Sequence, residues 1–205
     1  DDDGSFSESD IEVLGDRVFV RSEGGALVSY GPDLVRVPWF ERGVRAVAAQ
    51  HGRLVILGAF EFLVLDQTSQ PGQVTTVQPP ERPTLSGLLS LSADGQRVAA
   101  GVGIDEIGEW EVATGRRLRT IRWPARGLRN LEYVGETLHG WISDGQGFVQ
   151  FEGDSVRSRW MVDELRAGVL PTHIHGFDGG ALLVTDGGQL ALVRGAAITV
   201  LPRRT

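Results

Sequence analysis

WFERGVRAV (Trp39–Val47) and WPARGLRNL (Trp123–Leu131) share one pattern, W-x-x-R-G-[VL]-R-x-[VL], and stand 84 residues apart. The shared tryptophan, Arg–Gly pair and following Arg mark the same place in two repeated units. Around them the apolar runs are short: RVFVR (Arg17–Arg21), RLVIL (Arg53–Leu57), FLVL (Phe62–Leu65), ALLVT (Ala181–Thr185) and AITVL (Ala197–Leu201). Short runs rich in Val, Leu and Ile, bounded by turn residues, are strands. The turns are explicit at Gly15–Asp16, His51–Gly52, Asp94–Gly95, Asp178–Gly179 and Asp186–Gly187, pairs that accept the positive φ of tight hairpins. Helical periodicity is nearly absent, so the chain reads as all-β and built of hairpins.

Candidate second strands begin at Arg17, Arg53, Arg97, Thr137 and Ala181, in steps of 36, 44, 40 and 44 residues. A period of about 40 to 45 residues with four strands per unit is that of a propeller blade. The spacing predicts a β-propeller of about five four-stranded antiparallel blades, at residues 11–40, 41–83, 84–124, 125–164 and 165–205. Either a closed five-bladed ring or part of a larger propeller satisfies it; a β-sandwich with regular strands is the alternative topology. Leu54–Leu57 and Leu182–Val184 read as inner strands buried on both faces, whereas Arg117–Arg122 and Ser155–Trp160 alternate as outer strands with one face in solvent. The five tryptophans read as packing between blades. Residues 1–10, DDDGSFSESD, read as a flexible acidic leading segment. With no methionine before Met161, the sequence reads as a processed product or a piece of something longer.

One unit carries a nameable likeness. LSLSADGQRVAAG (Leu89–Gly101) resembles the first hairpin of a WD-repeat blade, and EWEVATGRRL (Glu109–Leu118) resembles its third strand, Thr–Gly turn and fourth strand. Trp110–Glu111 stands where that family has Trp–Asp, and the family's Gly–His pair is missing from its usual place. The likeness extends to WD-like and quinoprotein-like propellers as a group. It implies a scaffold that presents loops to protein partners, in bacteria often alongside regulatory, kinase or protease modules. It also implies a rival, since some propeller lyases and lactonases work through channel histidines and a metal.

Composition narrows the classes. Of 205 residues, 41% are hydrophobic and 23% charged, an ordinary globular balance, and no apolar stretch approaches the length of a membrane span. Without cysteine there is no disulfide, thiolate metal site or thiol nucleophile. A net charge of −7 argues against broad nucleic-acid binding. Lysine is absent, so a lysine-bearing phosphate loop is impossible, and no G-x-G-x-x-G has a strand–helix context; nucleotide binding is not expected. All 20 basic residues are arginine, which reads as GC-rich coding, in keeping with a bacterial source. No cofactor is expected. A cytoplasmic location is favoured, although a leader cleaved before Asp1 would leave a secreted or periplasmic chain with this same sequence.

Two constellations stand out. His173 and His175, in Thr–His–Ile–His–Gly, lie two apart on a candidate first strand, so they share a face and form a weak metal pair, with Glu132 or Asp178 available to assist. The second is a ring of arginines. Arg42, Arg82, Arg126 and Arg166, spaced 40, 44 and 40 residues apart, fall in the connections from one blade to the next. Acids (Glu23, Glu61, Asp105, Glu106, Asp144 and Asp186) fall in the second-to-third-strand loops of the same rim. The arginines either bridge neighbouring blades or dock an acidic peptide or domain. The overall expectation is a non-catalytic interaction platform, within a multiprotein complex, that holds a protein partner on this rim.

Overall fold

The computed structural model describes residues 11–70, 73–79, 85–103, 106–122, 128–142, 147–161, 171–177, 180–185, 189–194 and 197–201. They form twenty strands in five antiparallel sheets of four, each in plain sequence order. Blade 1 holds β1 (Ile11–Leu14), β2 (Arg17–Arg21), β3 (Leu27–Tyr30) and β4 (Arg36–Phe40). Blade 2 holds β5 (Ala46–Gln50), β6 (Arg53–Leu57), β7 (Phe62–Asp66) and β8 (Thr75–Val77). Blade 3 holds β9 (Leu85–Leu91), β10 (Arg97–Val102), β11 (Glu106–Glu111) and β12 (Arg117–Arg122). Blade 4 holds β13 (Leu128–Val134), β14 (Thr137–Ile142), β15 (Gly147–Glu152) and β16 (Ser155–Met161). Blade 5 holds β17 (Pro171–Phe177), β18 (Gly180–Thr185), β19 (Leu190–Arg194) and β20 (Ala197–Val200). The molecule is a five-bladed β-propeller. Among the described residues no helix is long and apolar enough to cross a membrane.

Local chemistry sets each hairpin. Between β9 and β10, Ser92 Oγ donates to Asp94 Oδ1 at 2.6 Å, and the backbone N–H groups of Gln96 and Arg97 donate to Asp94 Oδ1 and Ser92 Oγ. These bonds to its charged form hold the Asp94 carboxyl below its usual range. Gly95 then takes φ +67°, which a β-carbon would disfavour.

Apolar faces meet at the seams between blades. Leu14, Phe19 and Leu27 of blade 1 pack on Val47, Leu54 and Ile56 of blade 2. Val55, Leu57 and Phe62 of blade 2 meet Val98, Ala100 and Trp110 of blade 3, where the Phe62 and Trp110 rings lie 5.2 Å apart. Ala99, Ile107 and Ile121 of blade 3 face Leu131, Tyr133 and Phe151 of blade 4. Leu54–Leu57 is fully buried on both faces, as expected of an inner strand. On β12 the expected alternation fails: Leu118 is exposed, while Arg117 and Arg119 turn inward. A register shift between Glu109 and Trp110 accompanies the inversion, and both arginines find partners, Glu109 for Arg119 and the Trp110 ring for Arg117.

The first strands pack side by side in the order β1, β5, β9, β13, β17. Among the described residues no comparable packing joins β17 back to β1.

Candidate functional site

The first strands bring chemistry to the propeller axis. Each ends in a hairpin to the second strand, and the pairings Glu12↔Phe19, Ala48↔Val55, Ser90↔Ala99, Glu132↔His139 and His175↔Leu182 put five residues at one level, one per blade. Ser90 is buried; its hydroxyl accepts the Tyr133 N–H at 2.9 Å and donates towards Glu132 Oε2 at 3.4 Å. Glu12 reaches this level from blade 1. Burial pushes its carboxyl up to about 8, the Glu132 charge pushes the same way, and a backbone bond from Ala49 opposes them. A carboxylic acid that keeps its proton near neutrality thus faces a second carboxyl. Opposite Glu132, buried His139 donates from Nδ1 to the Thr137 carbonyl at 3.0 Å, and burial lowers its pKa.

His173 and His175 sit on β17, paired with Val184 and Leu182. Their backbone positions are described and their side chains are not. Among the described residues, no three His, Asp or Glu stand close enough to hold a metal ion.

The rim carrying the first-to-second-strand hairpins, called lower here, is tied by ions. Glu109, 3% exposed, receives two hydrogen bonds on Oε2 from Arg119, from Nε at 2.9 Å and Nη2 at 2.7 Å. Arg97 stands 3.6 Å from its other oxygen and bonds Glu136 of the next blade. Arg119 also donates to the Gly153 carbonyl at 2.8 Å. Arg97 stacks 5.3 Å over Tyr133, whose phenol is raised by burial and by nearby Glu109. Arg97, Glu109, Arg119, Glu136 and Gly153 line a groove of about 370 Å³ between blades 3 and 4. One seam earlier, Arg53 donates to the Gly95 carbonyl at 2.8 Å. Arginines at the starts of β6 and β10 thus each reach the next blade's hairpin. Sequence reading missed this use of the repeat, although Arg53 and Arg97 open equivalent strands.

The upper rim holds the connections between blades. Val44 N–H donates to the Gly25 carbonyl at 3.0 Å, clamping the blade 1–2 connection to the loop between β2 and β3. Gly25 takes φ +77°, and a β-carbon there would lie 2.9 Å from the Val44 carbonyl oxygen. Arg42 projects next to this clamp, exposed and without an ion pair among the described residues. Arg82, Arg126 and Arg166 lie outside the described residues, as do Asp105, Asp144 and Asp186. Glu23 is exposed, and Glu61 Oε2 accepts the Phe60 N–H.

No family model and no curated protein sequence matches the chain. Its fold matches a solved structure titled Kuenenia stuttgartiensis Hydrazine Synthase, with a TM-score of 0.64 over 97% of this chain and 68% of that one. Sequence identity is 13%. The likeness is one of fold. Fold similarity at this level carries no chemistry from one protein to the other.

Proposed function

We propose that this propeller is a non-catalytic protein-interaction platform that holds an acidic peptide or domain on its upper rim. The observation that carries the reading is Arg42: a fully charged side chain held out to solvent beside a clamped connection, with no carboxylate engaging it among the described residues. By repeat spacing Arg82, Arg126 and Arg166 join it on the same rim. Among the described residues, Arg53, Arg97 and Arg119 reach from one blade to the next at the lower rim. The WD-like sequence of blade 3 supports the same role, as a subunit of a larger bacterial assembly. An exposed arginine keeps its guanidinium available for bidentate carboxylate contacts and steers an acidic partner at low salt.

The test is binding of a fluorescent oligoglutamate peptide. The Arg42→Glu/Arg126→Glu double variant should bind at least about tenfold more weakly, equivalent to about 1.4 kcal/mol, with an unchanged melting temperature. Intact binding with a lowered melting temperature would instead make these arginines bridges between blades.

A second reading is favoured by one observation: His175 shares its level with Glu12, Ser90 and Glu132. Imidazole and carboxyl groups together are a donor set for a divalent metal, the basis for a metal-assisted lyase or lactonase. That reading predicts stoichiometric metal in the purified chain, lost in the His173→Ala/His175→Ala variant. A metal-free protein that binds no added zinc or manganese would remove it.

A further inference from the structure

We infer that the acidic segment held on the upper rim carries an apolar side chain that packs on Phe60. The rim would then select a peptide in which carboxylates flank an aliphatic residue; this rests on the upper-rim reading above and narrows its partner. Three loops meet at the place. The connection at residues 42–45 is tied on both sides. Val44 N–H donates to the Gly25 carbonyl in the β2–β3 loop at 3.0 Å, and Arg45 N–H donates to the Leu57 carbonyl, at the end of β6, at 2.8 Å. The loop from β6 to β7, residues 58–61, therefore rises directly beside that connection. In it Phe60 is 48% exposed, the one phenylalanine or tryptophan so exposed among the described side chains.

The loop holds Phe60 in this position. Gly58 N–H donates to the Glu61 carbonyl at 3.0 Å, and Phe60 N–H donates to Glu61 Oε2 at 3.3 Å. A β-carbon on residue 58 would collide with the Glu61 carboxyl, so glycine is what lets that carboxyl fold back over the loop. An aromatic ring fixed in this way needs little further ordering when a partner covers it, which suits it to anchor a contact. Charge explains why the anchor is needed. Arg42 and Arg45 are exposed beside the loop, but so are Glu23 and Glu41. These acids offset part of the arginine field, and a purely acidic chain is held loosely. A carboxylate on Arg42 together with an aliphatic side chain on Phe60 adds apolar burial, a contribution that salt does not screen.

The test compares two labelled peptides by fluorescence anisotropy: oligoglutamate, and the same peptide with one central glutamate replaced by leucine. Wild-type protein should bind the leucine peptide at least about tenfold more tightly. Raising the salt should weaken both peptides while the preference for leucine persists. Phe60→Ala should lose that preference, bind oligoglutamate as the wild type does, and melt at the same temperature. Phe60→Leu, which keeps an apolar side chain, should retain the preference. Equal binding of the two peptides by the wild type overturns the inference and leaves the upper-rim reading standing. A preference for leucine that survives in Phe60→Ala also overturns it, because the apolar contact would then lie elsewhere. Failure of the wild type to bind either peptide removes the upper-rim reading, and this inference with it.

Discussion

Replacing Glu109 with glutamine is expected to lower the melting temperature by roughly 6 to 12 °C, the consequence of losing about 3 kcal/mol. The carboxylate is almost wholly buried and is the shared counter-charge of Arg119 and Arg97. Neutralising it leaves two guanidiniums facing each other around an amide. Both arginine side chains keep some solvent, at 20% and 25% exposure, which places the loss at the lower end for a broken buried pair. The matched control is Asp66→Asn. Its partner Arg53 lies 3.3 Å away, but Asp66 is 62% exposed, so the change should stay within about 1 kcal/mol. Equal small losses in both variants, read by thermal and urea unfolding, would show that the lower-rim cluster does not hold blades 3 and 4 together.

Glu12→Gln should flatten the dependence of stability on pH, with its largest effect at alkaline pH. In the folded chain the Glu12 carboxyl releases its proton near 8, against 4.5 for the ordinary group. Between those values the folded state holds a proton that the unfolded chain has lost. Stability from this group is therefore complete below 4.5, falls as pH rises towards 8, and levels off above it, with a slope of at most about 1.4 kcal/mol per pH unit. Glutamine mimics the protonated acid at every pH. The variant should match wild type at about pH 4 and exceed it clearly at about pH 9. Parallel profiles in urea unfolding would mean that Glu12 is solvated and carries no such penalty.

The repeat was legible because hairpins are local. Turn pairs and short aliphatic runs place the starts of β2, β6, β10 and β14 at Arg17, Arg53, Arg97 and Thr137, and that of β18 one residue before Ala181. The axial residues were legible in principle by counting back from the same hairpins, since Glu12, Ser90, Glu132 and His175 share one pairing level. Only Glu132 and His175 drew notice as candidates, because a lone Glu or Ser on a short strand looks like a solvated position. The inward turn of Arg117 and Arg119 was not legible. It depends on a register shift and on a buried glutamate one strand away, and period-two alternation encodes neither. Of the four arginines spaced about one blade apart, Arg42 lies within the described residues.

The account rests on first strands converging on one axis, so that β1 and β13, from blades three apart in sequence, sense each other's charge. Carbon-13 NMR of the side-chain carboxyls tests this most directly. Glu12 should titrate near 8 in the wild type and at a lower pH in Glu132→Gln, because removing the facing charge removes one of its two upward pushes. A Glu12 carboxyl that titrates near 4.5, and does so whether or not Glu132 is charged, would contradict the shared axis.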